Sequence, residues 1–414
     1  MNVFTFRGKR FCTALLILLL SMALSVTVYA RDTFVFGSAI ALTGKFAREG
    51  ASLKKAYDFW AQQVNAQGGI EVAGKQYPVE IKYYDDKSDP RTTTKLVEKL
   101  ITRDKVDLIF GPFSSGCVGP SSTITEKYKV PMIEAAGNAR SLFKRGFKYL
   151  FCTLRPADEL ADPYMRLLVK QTPKPKTVAI IAPKSPFYLS AASGFETYAK
   201  KYGLDIVHYE TYPVAMEDIT PILQKIKAKD PDVLCVGSHT VVAMMVMKQS
   251  KEIDFNPKAY CFSFGTLGSE FPKELGDDAN YILEYISISE GSPFEDPLFG
   301  TTKEFIGHFK EAYQSRPDST QAAAVAGGIA FTRAIQNAGV IPPFDEAKRT
   351  KVRNELAKLD IVTAAGPVRF DATGINEANP LGIYQYQNRV PVCVEPDAWL
   401  EAKFIYPAPK WGDR

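Results

Sequence analysis

The sequence predicts an α/β protein made of two doubly wound parallel-sheet lobes. Short apolar runs of strand length alternate with segments of helical periodicity along most of the 414 residues. These runs are almost continuously apolar, which is typical of parallel strands covered by helices on both faces. The alternation restarts after Arg155-Pro156. Two such series indicate two lobes, each with ligand-binding potential at the carboxyl ends of its strands.

The first series predicts strands at 34–41, 77–85 and 106–110. Helices are predicted around 53–64 and 90–101, from apolar residues at helical spacing. Gly68-Gly69 ends the first helix, and Asp89-Pro90 has the cap and first-turn proline that favour the start of the second.

The second series predicts strands at 177–182, 204–211, 233–236 and 259–262. Helices are predicted near 157–170, 189–201, 218–228 and 240–249. A strand within 281–289 leads to helices at 298–314, 320–337 and 346–359. The tail changes character, because 368–374 and 383–394 have the pattern of β-hairpins, the second with Asn388-Arg389 at its turn.

Residues 1–30 have the pattern of a cleaved signal peptide. A basic segment, Arg7 to Arg10, precedes an apolar run, and small residues at Val28 and Ala30 suit a signal peptidase. The alternative is an uncleaved anchor, since the run from Phe11 to Ala30 approaches the roughly 20 residues that span a bilayer. Cleavage is favoured because polar residues dilute the second half of the run. The mature protein is therefore expected in the periplasm.

Composition narrows the function classes. The chain is 46% hydrophobic and 23% charged, as in globular proteins. Its net charge of +5 falls to +2 without residues 1–30, and no Lys/Arg run occurs, so no nucleic-acid partner is expected. Five cysteines remain after residue 30, an odd number without paired spacing, and most are expected to be buried free thiols.

Motifs for catalysis are weak. Gly44-Lys45 lacks the earlier glycine and the following Ser or Thr of a phosphate-binding loop. Gly111 to Gly116 lies between a predicted strand and a predicted helix, as a nucleophile elbow does. It lacks the G-x-S-x-G spacing that such an elbow requires. Three isolated histidines give no metal site by spacing. No enzyme activity and no cofactor are expected.

Short polar residues follow the first-lobe strands, where parallel sheets bind ligands. They lie in Gly111-Pro112-Phe113-Ser114-Ser115 and in Glu134-Ala135-Ala136-Gly137-Asn138. Hydroxyl and amide groups beside free backbone N–H groups at a helix start suit a small carboxylate. The alternative is that Ser115 and Asn138 only cap helices.

These segments, with Thr43-Gly44, Ala66-Gln67-Gly68-Gly69-Ile70 and Tyr84 to Pro90, resemble the substrate-binding proteins of ABC importers of the leucine/isoleucine/valine-binding type. The resemblance extends over most of the mature chain. It implies a type I periplasmic binding fold, with two lobes joined by a three-crossover hinge that close over the ligand. One lobe would contain 32–153 plus 286–360, and the other 154–285 plus 361–414.

By the same resemblance, Ser115, the backbone at Ala136 and the Asn138 side chain would hold the ligand's carboxylate. Glu49 would face the ligand side chain, and Phe187 would close over it from the second lobe. The remaining predicted site residues are neighbours of these positions or lie at strand ends: Phe113, Ser114, Gly137, Tyr188, His239 and Phe264.

One departure from the family affects specificity. Amino-acid binders usually hold the ligand ammonium with an acidic residue after the strand at 233–236, but here the run is Gly237-Ser238-His239-Thr240-Val241. A buried ammonium without an acidic partner is costly. Either Glu49, Glu134 or Glu290 replaces it, or the ligand lacks an ammonium group and is an aromatic or other organic acid or an amide.

The resemblance implies a monomeric periplasmic receptor that captures a small carboxylate-bearing solute, such as a branched-chain amino acid. Its partners would be the solute and the permease and ATPase subunits of an ABC importer. A periplasmic sensor module with the same fold remains an alternative.

Overall fold

The computed structural model describes residues 31–268 and 270–414, and the predicted signal peptide lies outside these residues. The strands are β1 Phe34–Ile40, β2 Ile70–Val72, β3 Lys75–Tyr77, β4 Val79–Asp85, β5 Leu108–Phe110, β6 Met132–Glu134, β7 Leu150–Cys152, β8 Thr177–Pro183, β9 Asp205–Tyr212, β10 Val233–Val236, β11 Ala259–Phe262, β12 Leu283–Ile286, β13 Glu295–Asp296, β14 Gly300–Thr301, β15 Asp360–Thr363, β16 Gly366–Arg369, β17 Gly382–Gln387 and β18 Val390–Glu395.

The helices are α1 Ala47–Ala66, α2 Pro90–Thr102, α3 Ser115–Lys127, α4 Arg140–Phe143, α5 Asp162–Leu168, α6 Pro186–Lys201, α7 Thr220–Lys227, α8 Thr240–Glu252, α9 Glu270–Leu275, α10 Thr302–Tyr313, α11 Ser319–Ala338 and α12 Glu346–Leu356. Among the described residues, no helix combines the length and the apolar character that crossing a membrane requires.

Two sheets organise the molecule and confirm the predicted fold class. The first has the strand order β4-β1-β5-β6-β7 and is parallel throughout. The second has the order β18-β17-β12-β11-β10-β8-β9, in which β17 and β18 are antiparallel additions to a parallel sheet. The predicted hairpin at 383–394 is the β17–β18 pair, and its turn residues Asn388 and Arg389 both have positive φ.

Most predicted elements match the described ones within a few residues, and two differ at prolines. The predicted helix near 157–170 is a short 3₁₀ turn followed by α5, which has Pro163 in its first turn. The predicted strand at 77–85 is divided into β3 and β4 at Pro78, which has no N–H for a continuous ladder.

The chain crosses between the sheets three times: after β7, after β12 and between β16 and β17. The predicted lobe boundary falls after residue 360, and residues beyond it contact the first sheet. Phe370 packs on Phe151 with ring centroids 5.0 Å apart, and the Asn376 N–H donates to the Cys152 carbonyl at 2.8 Å. Residues 370–376 therefore contact the last strand of the first sheet, and the bridge between Ile375 and Cys152 extends its ladder.

The first core is closed by α11, which returns from the distal part of the chain to pack on α1. At Gly328, an added Cβ would lie 2.4 Å from the Trp60 ring. Trp60 in turn packs on Phe36 of β1, with ring centroids 5.2 Å apart. The absence of a side chain at Gly328 lets two long helices approach closely over the sheet.

A carboxylate is buried at the end of β6. Glu134 has no exposed surface, its Oε1 accepts the Ala136 N–H, and its Oε2 lies where a Cβ on Gly111 would clash. Burial raises the pKa of Glu134 to about 8, although backbone N–H groups oppose the shift. The folded protein therefore holds a proton on Glu134 at neutral pH.

All five cysteines of the described chain are buried free thiols, as expected for most of them. Cys117, which the sequence did not place in a strand, is buried in α3.

We predict that Gly328→Ala lowers the free energy of unfolding by roughly 1–3 kcal/mol, because the new methyl overpacks the contact with Trp60. Gly307→Ala in α10 is the matched control, since a Cβ there meets nothing within 4 Å. It should raise stability by about 0.5–1 kcal/mol. Urea unfolding of residues 31–414 measures both, and equal effects of the two substitutions would contradict the packing account.

We predict that Glu134→Gln flattens the decline in stability as pH rises. Between about 4.5 and 8, the folded state keeps the Glu134 proton while the unfolded state releases it, so the free energy of unfolding falls across this window. Glutamine removes this contribution, which amounts to roughly a few kcal/mol by pH 8.

Unfolding free energies from pH 4.5 to 8.5 measure the effect. Glu80→Gln, on an exposed position of β4, is the control and should keep the parent profile. A parallel displacement of the Glu134→Gln profile at all pH values would show that its proton is not the cause.

Candidate functional site

Loops at the carboxyl ends of the two sheets touch each other. Phe46 follows β1 and Phe113 follows β5, and both rings contact His239, which follows β10. Phe113 also lies 6.4 Å, between ring centroids, from Phe264, which follows β11. The predicted binding regions of the two lobes are thus brought together.

An aromatic cluster of Phe46, Phe113, Phe187, Tyr188, His239 and Phe264 fills the centre of this junction. The His239 ring stacks on Phe187 with centroids 4.8 Å apart and planes inclined by 10°, and its centroid is 4.9 Å from that of Tyr188. Burial lowers the pKa of His239 to about 3, so the imidazole is neutral at physiological pH. The centre of the junction is therefore a packed, uncharged group of rings, of which Phe113 and Phe264 also line a cavity.

Two serines begin α3 beside this cluster. Ser114 adopts φ 82° and ψ 143°, a conformation that L-residues rarely adopt and that stores strain. The Ser115 Oγ accepts the Ala139 N–H at 3.2 Å, which leaves the hydroxyl hydrogen able to donate. Strain at Ser114 next to a buried hydroxyl is consistent with a binding role, since such conformations concentrate at functional sites.

The other predicted carboxylate-binding donors are already engaged. The Ala136 N–H donates to Glu134, and the Asn138 side chain donates to the Arg155 carbonyl at 2.8 Å. Gly137 lies against Val118, where an added Cβ would be 2.4 Å from a methyl group. The Ala136 N–H would have to leave Glu134 to bind a ligand, whereas the Ser115 hydroxyl and the second amide hydrogen of Asn138 would not exchange partners.

A cavity of about 440 Å³ opens beside the aromatic cluster. Three predicted site residues line it: Glu49, Phe113 and Phe264. The start of α1, the loop after β11, part of β12 and the segment before α11 complete the wall. A smaller cavity, about 240 Å³, lies between the end of α1 and α11, away from every predicted site residue.

Four carboxylates line the larger cavity: Glu270, which pairs with Arg48, and the three that form no ion pair among the described residues, Glu49, Glu284 and Asp318. Burial raises the pKa of Glu49, and nearby donors at the start of α1 and at Thr240 reduce this shift. Burial also raises the pKa of Glu284 to about 7 and that of Asp318 to about 6. The Asp318 side chain is half-buried and lines the cavity. It also caps α11, because its carboxylate accepts the Gln321 N–H at 2.7 Å.

Sequence reasoning missed Glu284 and Asp318. Glu284 stands inside the apolar run of β12, and a charged residue in such a strand is the one signal that could have identified it. Of the carboxylates considered as ammonium partners, only Glu49 reaches the cavity. Glu134 is buried in the first lobe, and Glu290 pairs with Lys310 at 2.8 Å and Arg316 at 3.2 Å.

Known proteins resemble this chain over nearly its whole length. It is 28% identical over 406 residues to the Leu/Ile/Val-binding protein homolog 8 of Brucella abortus, covering 94% of this chain and 97% of the relative. The Streptococcus pneumoniae branched-chain amino acid transporter substrate binding protein LivJ, solved with isoleucine, has a TM-score of 0.74 at 21% identity, covering 91% of this chain and 100% of LivJ.

A solute binding protein of an ABC transporter from R. palustris, solved with benzoate, also has a TM-score of 0.74, at 18% identity. The alignment covers 90% of this chain and 98% of that one. Residues 33–389 match the family model described as periplasmic binding protein. With its two parallel sheets, three crossovers and contacting strand-end loops, the chain belongs to the periplasmic binding protein family.

Proposed function

We propose that this protein is the solute-binding component of an ABC import system and captures a small carboxylate-bearing solute, a branched-chain or other amino acid. The observation that carries this function is the cavity of about 440 Å³, which is lined by strand-end loops from both sheets. Membership in the periplasmic binding protein family and the likeness to LivJ support it.

Solute capture would close the two lobes about the three crossovers. The first lobe would contain residues 32–153 and about 287–376, and the second the remainder of the mature chain. Arg48 of α1 pairs with Glu270 of α9 at 2.9 Å across the junction. A solute that touches both lobes binds the closed form more tightly and so shifts the population toward it.

The protein would reach the periplasm through a cleaved signal peptide at residues 1–30 and act there as a monomer. It would present the closed form to the permease and ATPase subunits of the importer. Its role requires reversible binding and no covalent chemistry.

An aromatic or other organic acid, or an amide, is a second candidate solute. The aromatic cluster around neutral His239 favours it, and so does the likeness to the benzoate-bound protein. Such a solute would need no acidic partner for an ammonium group.

A thermal-shift screen of ligand-free residues 31–414 tests the function. The probes are leucine, isoleucine, valine, benzoate and 3,4-dihydroxybenzoate. A probe at about 100 times its dissociation constant should stabilise the protein by roughly 2.7 kcal/mol. A rise in melting temperature with at least one class is expected, and no rise with any carboxylate would contradict the proposed function.

We predict that Ser115→Ala weakens binding of the best carboxylate probe by roughly 1–3 kcal/mol, because the hydroxyl is buried and donates to no other described residue, so the proposed contact would be its hydrogen bond to the solute carboxylate. Ser121→Ala is the matched control in the same helix, since its hydroxyl donates to the Cys117 carbonyl at 2.7 Å. Isothermal titration measures both affinities. Unchanged affinity in Ser115→Ala would remove this hydroxyl from the site.

A further inference from the structure

Glu284 has a carboxylate oxygen that the described protein leaves without a hydrogen bond. Its Oε2 accepts from the N–H and the hydroxyl of Thr266, the latter at 2.6 Å. Its Oε1 has no partner among the described residues, although Glu284 is only 2% exposed and lines the cavity. An unsatisfied buried carboxylate oxygen is costly, so a group in the cavity that donates to Oε1 would stabilise the folded protein.

The charge around the cavity indicates which kind of donor fits. Glu49, Glu284 and Asp318 face the same space, and none of them forms an ion pair with a lysine or arginine among residues 31–268 and 270–414. Burial is the main cause of the raised pKa values of Glu284 and Asp318; the negative charge of Asp318 adds to the shift of Glu284, and that of Glu49 adds to the shift of Asp318. The three carboxylates therefore repel one another in the absence of a cation.

The cations at the cavity wall are directed to other acceptors. Arg48 pairs with Glu270 at 2.9 Å. Arg316 pairs with Glu401 at 2.6 Å and with Glu290. Lys55 places its ammonium over the Tyr313 ring, 5.7 Å from the centroid. No lysine or arginine of the described chain therefore pairs with these carboxylates, and an ammonium group that enters the cavity would offset their charge.

Apolar walls define the rest of that occupant. Phe113 and Phe264 line the cavity and also belong to the aromatic cluster, so the cavity is continuous with the apolar centre of the junction. An ammonium carries three donors and no acceptor, which suits Oε1 of Glu284 together with a neighbouring carboxylate. An apolar body attached to this ammonium would lie against the two phenylalanine rings.

On the basis of the solute-binding function proposed above, we propose that the solute carries a protonated amine and that Glu284 Oε1 is its direct acceptor in the cavity. Glu49 and Asp318 supply the supporting negative charge. This assignment replaces the acidic residue that is absent after β10, where Gly237-Ser238-His239 stands, with a carboxylate from β12. The solute class is an amino acid or another amine with an apolar body.

Paired probes that differ in the amine test this assignment. L-leucine is compared with 4-methylpentanoate, and L-phenylalanine with 3-phenylpropanoate, by isothermal titration of the parent protein and Glu284→Gln. Glutamine keeps an oxygen for Thr266 and places an amide where Oε1 was. The amine-bearing probe that binds the parent should bind Glu284→Gln roughly tenfold or more weakly, because a charge-assisted hydrogen bond is lost.

Glu274→Gln is the control, because Glu274 lies on the same helix as the cavity residue Glu270 but outside the cavity, and its half-exposed carboxylate pairs with Lys248 at 2.6 Å. It should change the affinity for amine-bearing probes by no more than about threefold, as expected for an exposed ion pair. Circular dichroism and the melting temperature check that each variant is folded.

The outcomes separate the two proposals. Tight binding of only the amine-free acids, or equal affinity of the parent and folded Glu284→Gln for the amine-bearing probes, would overturn the role of Glu284 and keep solute binding. If no probe of either kind binds the parent, the carboxylate-solute function fails, and the assignment fails with it. Should Glu284→Gln not fold, Glu284→Asp, which keeps the charge and withdraws it from the cavity, must still weaken amine binding selectively.

Discussion

The structure depends on one constraint of parallel sheets, which is that helices must cover both faces. Polar and aromatic side chains that bind a ligand therefore lie on the loops at the carboxyl ends of the strands. Both sheets obey this constraint. Phe46 and Phe113 of the first lobe and His239 and Phe264 of the second all follow strands, and they meet at one junction. The binding region therefore follows from how strands are buried, before any specific ligand contact is considered.

The junction combines an uncharged centre with a negatively charged wall. Neutral His239 stacks within the aromatic cluster, where burial holds its pKa near 3. Glu284 and Asp318 lie on the adjoining cavity with pKa values raised to about 7 and 6. Keeping carboxylates this close together costs stability, and the cost falls when a donor enters the cavity. Recognition of the solute and relief of this repulsion are then the same event.

The fold was largely predictable from the sequence, and the site only in part. Apolar runs and helical spacing located β1, β10 and β11 and most helices, because burial on both faces is a local signal. The contact of residue 376 with Cys152, beyond the predicted lobe boundary, was not predicted, since it joins distant parts of the chain. Glu284 was missed because the surrounding β12 residues indicate an ordinary core strand, and the engagement of Asn138 by Arg155 depends on tertiary geometry.

The three crossovers also set an order for biosynthesis. The first lobe begins at β1 but is closed by α11 and by residues 374–376, and the second sheet ends with β18. Neither lobe is a contiguous stretch of chain, so neither can reach its native form until a segment distant in the sequence has been synthesised. Such non-local pairing slows folding. A chain of this topology therefore stays incompletely folded until its last segments have been synthesised.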